Sequence, residues 1–174
     1  MTEPVDRLLI WWLRRGRYPW SHLRRWLFER GYLRKALPHV DSLEDVEACL
    51  KQLTWTMDGP WHLFDSISYP QTVWAKQKDD CDGFAILAAK LLAQWAPETN
   101  PVLVTAMVRP MRMSHTVCPF RQGDSLWYLD NYTSRKEDCQ TYADIVAKIA
   151  RGKRLVCWDV VAPDTLETLE FHVV

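Results

Sequence analysis

The chain has 174 residues, with 22 Lys+Arg against 22 Asp+Glu, 48% apolar residues and only six glycines. That length suits one domain with a real core, and the mix of charge and large apolar side chains excludes intrinsic disorder. The longest apolar run near the start, Leu8 to Leu13, is six residues, too short for a signal-peptide core or a membrane span.

The pattern predicts a short helix from Pro4 to Leu13, punctuated by Gly16 and Pro19. Ser21 is the expected N-cap of a second helix through about Arg30, with Leu23, Trp26 and Leu27 as its stripe. A third helix is expected from Asp41 or Ser42, with Leu43, Val46, Leu50 and Leu53 on one face. Residues 54–76 read as a long irregular loop with turns at Asp58-Gly59-Pro60 and Tyr69-Pro70. The strongest helix runs from about Asp80 to Trp95, nearly apolar all round and therefore central. The period then changes to two. Val102–Val108, Thr116–Phe120, Leu126–Leu129 and Leu155–Val161 read as strands, with Tyr142–Arg151 a helix and the tail loose. Helices followed by antiparallel strands make the fold class α+β.

Five cysteines, an odd number without a C-x-x-C pair, argue against a disulfide framework or a thiolate zinc cluster. A reducing, cytoplasmic setting is the expectation. Cys81 stands at the first turn of the central helix, where unpaired N–H groups and the helix dipole favour a thiolate. Alone it reads more readily as one more small buried hydrophobe. Asp79, Asp80 and Asp82 oppose ionisation, so a nearby cation is needed. His115 starts a strand 34 residues later, and Asp130 ends its neighbour. Pairing through Gln122-Gly123-Asp124 brings them to one end of the hairpin, where the carboxylate would orient the imidazole toward the thiol.

Asp80-Cys81-Asp82-Gly83-Phe84-Ala85 resembles the G-D-C-E/D-D-x-A block of the transglutaminase-like superfamily. His115-Thr116-Val117 with Trp127-Tyr128-Leu129-Asp130-Asn131 is similar to the H-A-V and L-D-N segments of bacterial transglutaminase-like cysteine peptidases. Leu53 to Asp58 and Tyr69 to Val73 resemble the approach to the nucleophile. The resemblance covers about residues 43–161 and implies a papain-like α+β core with Cys81 as nucleophile, His115 as base and Asp130 as orienting acid. Three positions depart from the pattern: Asp79 where glycine is usual, Gly83 where an acid is frequent, and Thr116 where alanine is common. For the oxyanion, the Cys81 backbone N–H comes first, with Gln77, Trp74 and Trp55 as candidate second donors. Asp80 and Asp82 are the candidate ligands if calcium is required, as in some relatives; no EF-hand pattern is present. The leading expectation is no cofactor.

Residues 1–36 carry nine bases and three acids, and the remainder 13 bases and 19 acids. We therefore divide the chain into a basic, Trp-rich helical extension (1–40) and a catalytic domain (41–174). Arginines among Trp11, Trp12, Trp20 and Trp26 suit nucleic acid, an acidic partner or an anionic membrane surface, with Arg24 and Arg25 as candidate contacts. The favoured reading is that the tryptophans pack the extension onto the body while the arginines are solvated or paired. The expected activity is a peptidase or amidase acting on a protein or peptide through a thioester. The alternatives are a transglutaminase or deamidase, and a non-catalytic binding protein on the same scaffold.

Overall fold

A computed structural model describes residues 3–57 and 66–174, apart from the Glu137 side chain. The expected turn at Asp58-Gly59-Pro60 lies outside the described residues. A six-stranded antiparallel sheet has the order β6-β5-β4-β3-β7-β8. Its strands are β3 (Leu103–Arg109), β4 (His115–Gln122), β5 (Ser125–Asp130), β6 (Thr133–Cys139), β7 (Arg154–Val161) and β8 (Thr168–Val173). Side chains alternate across it. Leu103, Met107, Cys118, Phe120 and Leu129 face one core, which contains Phe84, Leu87 and Leu91 of the helix Cys81–Trp95. Val104, Ala106, Val117 and Tyr128 face a second core under the helix Tyr142–Ala150. The architecture is α+β, with the central helix packed on an antiparallel sheet.

Two strands of this sheet lay outside the sequence expectation, and both are edges. β6 reads Thr-Ser-Arg-Lys-Glu-Asp-Cys and β8 replaces the expected loose tail. An edge strand buries little, and charge on it blocks further pairing, so β6 displays no apolar alternation; β8 does alternate, with Leu169, Phe171 and Val173 on one face, a period the sequence reading passed over. The expected loop 54–76 also holds structure. A two-residue strand β1 (Thr54–Trp55) pairs in parallel with β2 (Lys78–Asp79), and a helix spans Pro70–Lys76.

At the N-terminus, Gly16 and Pro19 do not interrupt the chain. Helix α1 (Pro4–Trp11), a π turn (Trp12–Gly16), α2 (Arg17–Arg24), a second π turn (Arg25–Glu29) and a 3₁₀ turn (Arg30–Arg34) follow without a gap. Ser21, expected as a cap, lies inside α2, donates to the Arg17 carbonyl at 2.7 Å and accepts from Ile67 N–H at 3.0 Å. The inward row Leu9, Leu13, Arg17, Ser21, Arg25 and Glu29 is buried and recurs every fourth residue. On a regular α-helix that spacing drifts by about 40° per step, about 200° over the row. A π turn takes in one extra residue, about 100° of rotation. Two of them realign the row, and a wider turn ahead of Pro19 eases its ring past the preceding carbonyls.

Leu9, Trp12, Leu13 and Tyr18 share the core of the central helix. The expectation that the tryptophans pack inward holds for Trp12, whereas Trp11, Trp20 and Trp26 are exposed. The remaining helices are α3 (Leu43–Leu50), α4 (Pro70–Lys76), α5 (Cys81–Trp95) and α6 (Tyr142–Ala150). Ser42 caps α3 by accepting from Asp45 N–H at 3.1 Å, as its spacing foretold. No described helix is long and apolar enough to cross a membrane.

Candidate active site

Asp80 is the N-cap of α5, its carboxylate accepting from Asp82 N–H at 3.1 Å, so Cys81 begins the helix. None of the five cysteines is in a disulfide; four are buried and Cys81 is half-buried. Burial pushes the thiols of Cys118 and Cys157 up, the latter to about 12. Cys81 opens into a cavity of about 210 Å³ together with His115, Asn131, Trp55, Arg112 and Arg151.

β4 and β5 pair Cys118 with Leu129. His115 and Asp130 are each an odd number of residues from that pair, so both turn to the α6 side at one end of the sheet. There His115 Nε2 and Asp130 Oδ1 are 2.7 Å apart. With Nε2 engaged, Nδ1 is the ring nitrogen left to serve a thiol. Arg151, in a left-handed conformation (φ 51°) just after α6, reaches Asp130 Oδ2 at 3.4 Å. Burial raises the Asp130 carboxyl, but the His115 hydrogen bond and charge, then Arg151 and Arg135, hold it below the usual carboxylate value.

A buried charge network lies beneath the helix start. Arg17, 1% exposed, donates to the Asp82 carboxylate and, at 3.0 Å, to Thr105 Oγ1. Thr105 Oγ1 lies 3.1 Å from Thr116 Oγ1. This network joins the residue after the cysteine to the residue after the histidine. Sequence reasoning missed Arg17; its signal is an arginine following Leu9 and Leu13 in the buried four-residue row of the N-terminal helix. Nearby, Tyr18 donates to Asp159 at 2.5 Å. Burial is the main cause pushing the Asp159 carboxyl up to about 7, while Tyr18 and Arg17 pull it down.

The other candidates are placed as follows. Trp55, carried by the β1–β2 ladder, lines the cavity with Cys81. Gln77 sits in the left-handed region (φ 54°) after α4 and spends its amide on the Trp74 carbonyl at 2.6 Å. Trp74 packs against the core. Arg25 is buried, donating to the carbonyls of Ile67 at 2.8 Å and Ser68 at 2.7 Å. Arg24 pairs with Glu29 and reaches Ser68 Oγ at 3.0 Å. Both therefore fasten the segment leading to α4.

Asp79 and Gly83 form one feature. A Cβ on Gly83 would lie 2.2 Å from both Cβ and Cγ of Asp79. The carboxyl of residue 79 thus occupies the space that a side chain at 83 would take.

Ligand atoms of Asp80, Cys81 and Asp82 lie within 4.8 Å of one another. They do not fit a calcium ion, which takes about six to eight oxygens. One Asp82 oxygen holds Arg17, the other faces the Cys81 sulfur at 4.0 Å, and Asp80 caps the helix.

No family model and no curated protein matches the sequence. Among solved structures the chain is similar to calcium-bound LapG of Legionella pneumophila, with 20% identity, a TM-score of 0.48, and 67% of this chain and 62% of that one covered. The EGTA-treated form gives 19%, 0.45, 68% and 63%. A further LapG structure gives 20%, 0.47, 80% and 71%. The chain thus spans less than two thirds of the first two.

Proposed function

We propose that the protein is a cysteine-dependent peptidase or amidase of transglutaminase-like type. The His115–Asp130 contact of 2.7 Å, at the cavity that Cys81 enters, carries the reading. The Cys81 thiol gives its proton to His115 Nδ1, and the sulfur attacks an amide carbonyl. The oxyanion is met at the helix start by the Cys81 N–H. The imidazolium returns its proton to the departing amine as the C–N bond breaks, leaving a thioester. Water, deprotonated by the same nitrogen, then releases the acid and restores the thiol. Asp130 keeps Nε2 protonated and the ring in place.

The cation that the helix start needs is supplied twice, by the imidazolium at the sulfur and by Arg17 at Asp82. Neither charge depends on a metal held by Asp80 and Asp82. Arg112, Arg151 and Lys153 at the cavity favour a protein or peptide substrate with acidic residues near the cleaved bond.

Alkylation with iodoacetamide at neutral pH, followed by peptide mapping, tests the proposal. Cys81 should react at least tenfold faster than Cys49 or Cys157, and Cys81→Ala should abolish peptide hydrolysis. Equal reactivity of all thiols would leave a binding protein.

A further inference from the structure

The outward side of the N-terminal helix takes no part in the site. Trp11, Trp20, Leu23, Trp26, Leu27 and Phe28 are 39–72% exposed. A run of large apolar side chains left this open marks a contact surface. Exposed Arg7, Arg14, Arg15, Arg30 and Arg34 stand among them, with the Arg30 guanidinium 5.8 Å from the Trp26 ring centre.

The three acids of the same segment are all engaged away from this face. Asp6 is buried against Arg154 at 3.0 Å, Glu29 is buried against Arg24 and the Tyr69 N–H, and Glu3 is held by Arg109 at 2.7 Å. The π turns that straighten the inward row also straighten this one: Trp11, Arg15, Pro19, Leu23 and Leu27 follow the same four-residue spacing. The result is one aromatic and cationic strip whose Trp11–Leu27 row covers roughly 24 Å of helix.

We infer that this strip docks on an anionic phospholipid surface. Tryptophan, phenylalanine and leucine seat at the headgroup boundary while arginines meet the phosphates. The anchors project from a single helix, so a deformable layer accepts them without a matching cleft. A two-fold contact with a second copy would set arginines against arginines. The helix lies on the bilayer, since it is not apolar enough to cross it.

The test is co-sedimentation of the full chain with vesicles of phosphatidylcholine, alone or mixed with phosphatidylglycerol, with tryptophan emission recorded. Binding to the anionic vesicles should be more than tenfold tighter, should shift the emission to the blue, and should be reversed by salt. Each arginine near an anionic surface is worth about fivefold in affinity, so Arg14→Glu with Arg15→Glu should weaken binding more than tenfold. Trp26→Ser with Phe28→Ser should weaken binding and diminish the emission shift, and leave Cys81 alkylation unchanged. Wild-type protein that stays in solution with both vesicles overturns the inference. So do variants that bind like wild type. A dimer dissolved by the Trp26 and Phe28 substitutions, without lipid binding, assigns the strip to a second copy instead.

Discussion

Arg17 on the N-terminal helix and Asp82 beside Cys81 form a buried ion pair, both side chains 2% exposed. Removing one partner of such a pair leaves a bare charge in the interior and costs about 3–5 kcal/mol. Arg17→Met should lower stability by that order, and the pH profile of Cys81 alkylation should move upward, because Asp82 would then face the sulfur unneutralised. Arg17→Met combined with Asp82→Asn should recover most of the stability. Urea unfolding of the single and double variants reads the coupling; additive losses would show that the pair is not a unit.

Asp79 and Gly83 predict a reciprocal exchange. Gly83→Asp alone should be severely destabilising, since its Cβ would fall 2.2 Å from the Asp79 side chain; a core clash typically costs about 1–3 kcal/mol or more. Asp79→Gly in the same chain should relieve it. Thermal unfolding of the two single variants and the double variant checks this, with the double variant expected above Gly83→Asp.

Asp130→Asn keeps the shape of the acid but removes its charge, so His115 is held in neither the right tautomer nor a stabilised cationic form. Hydrolysis should fall about a hundredfold or more with little loss of stability. Steady-state assays on a peptide library with acidic positions supply the measurement.

Asp159 has its carboxyl raised to about 7, chiefly by burial. A raised carboxyl means that the folded state holds the proton longer than the unfolded chain. The contribution of Asp159 to stability is therefore full below the unfolded value near 4 and declines as pH rises toward 7, by at most about 1.4 kcal/mol per pH unit. Asp159→Asn should flatten this decline. Denaturation midpoints from pH 4 to 7 test it, and parallel curves for the two proteins would refute it.

Chelation should leave Cys81 alkylation and hydrolysis unchanged, because the acids around the cysteine are committed to Arg17 and to the helix cap. Activity lost in EGTA and restored by calcium would contradict this.

Local pattern was enough for the central helix and the four inner strands, and it singled out Cys81, His115 and Asp130 as candidates. Each of those features is written within about ten neighbouring residues: a 3.6-residue or two-residue apolar period, a cap, a strand end. The departures at Asp79, Gly83 and Thr116 were visible too, but only as separate oddities. Tertiary structure turned them into contacts, Asp79 filling the space above Gly83 and Thr116 meeting Thr105 below Arg17. It also decided the edge strand β6, whose charged face buries too little to imprint a period, whereas β8 carries its alternation of Leu169, Phe171 and Val173 in plain sight. Most of all it decided the N-terminal helix, where Gly16 and Pro19 argued for a break. Burying Arg17 against a carboxylate 65 residues away and aligning a four-residue row with π turns are long-range gains. No window of sequence contains both partners of such a contact, so only the assembled fold reveals it.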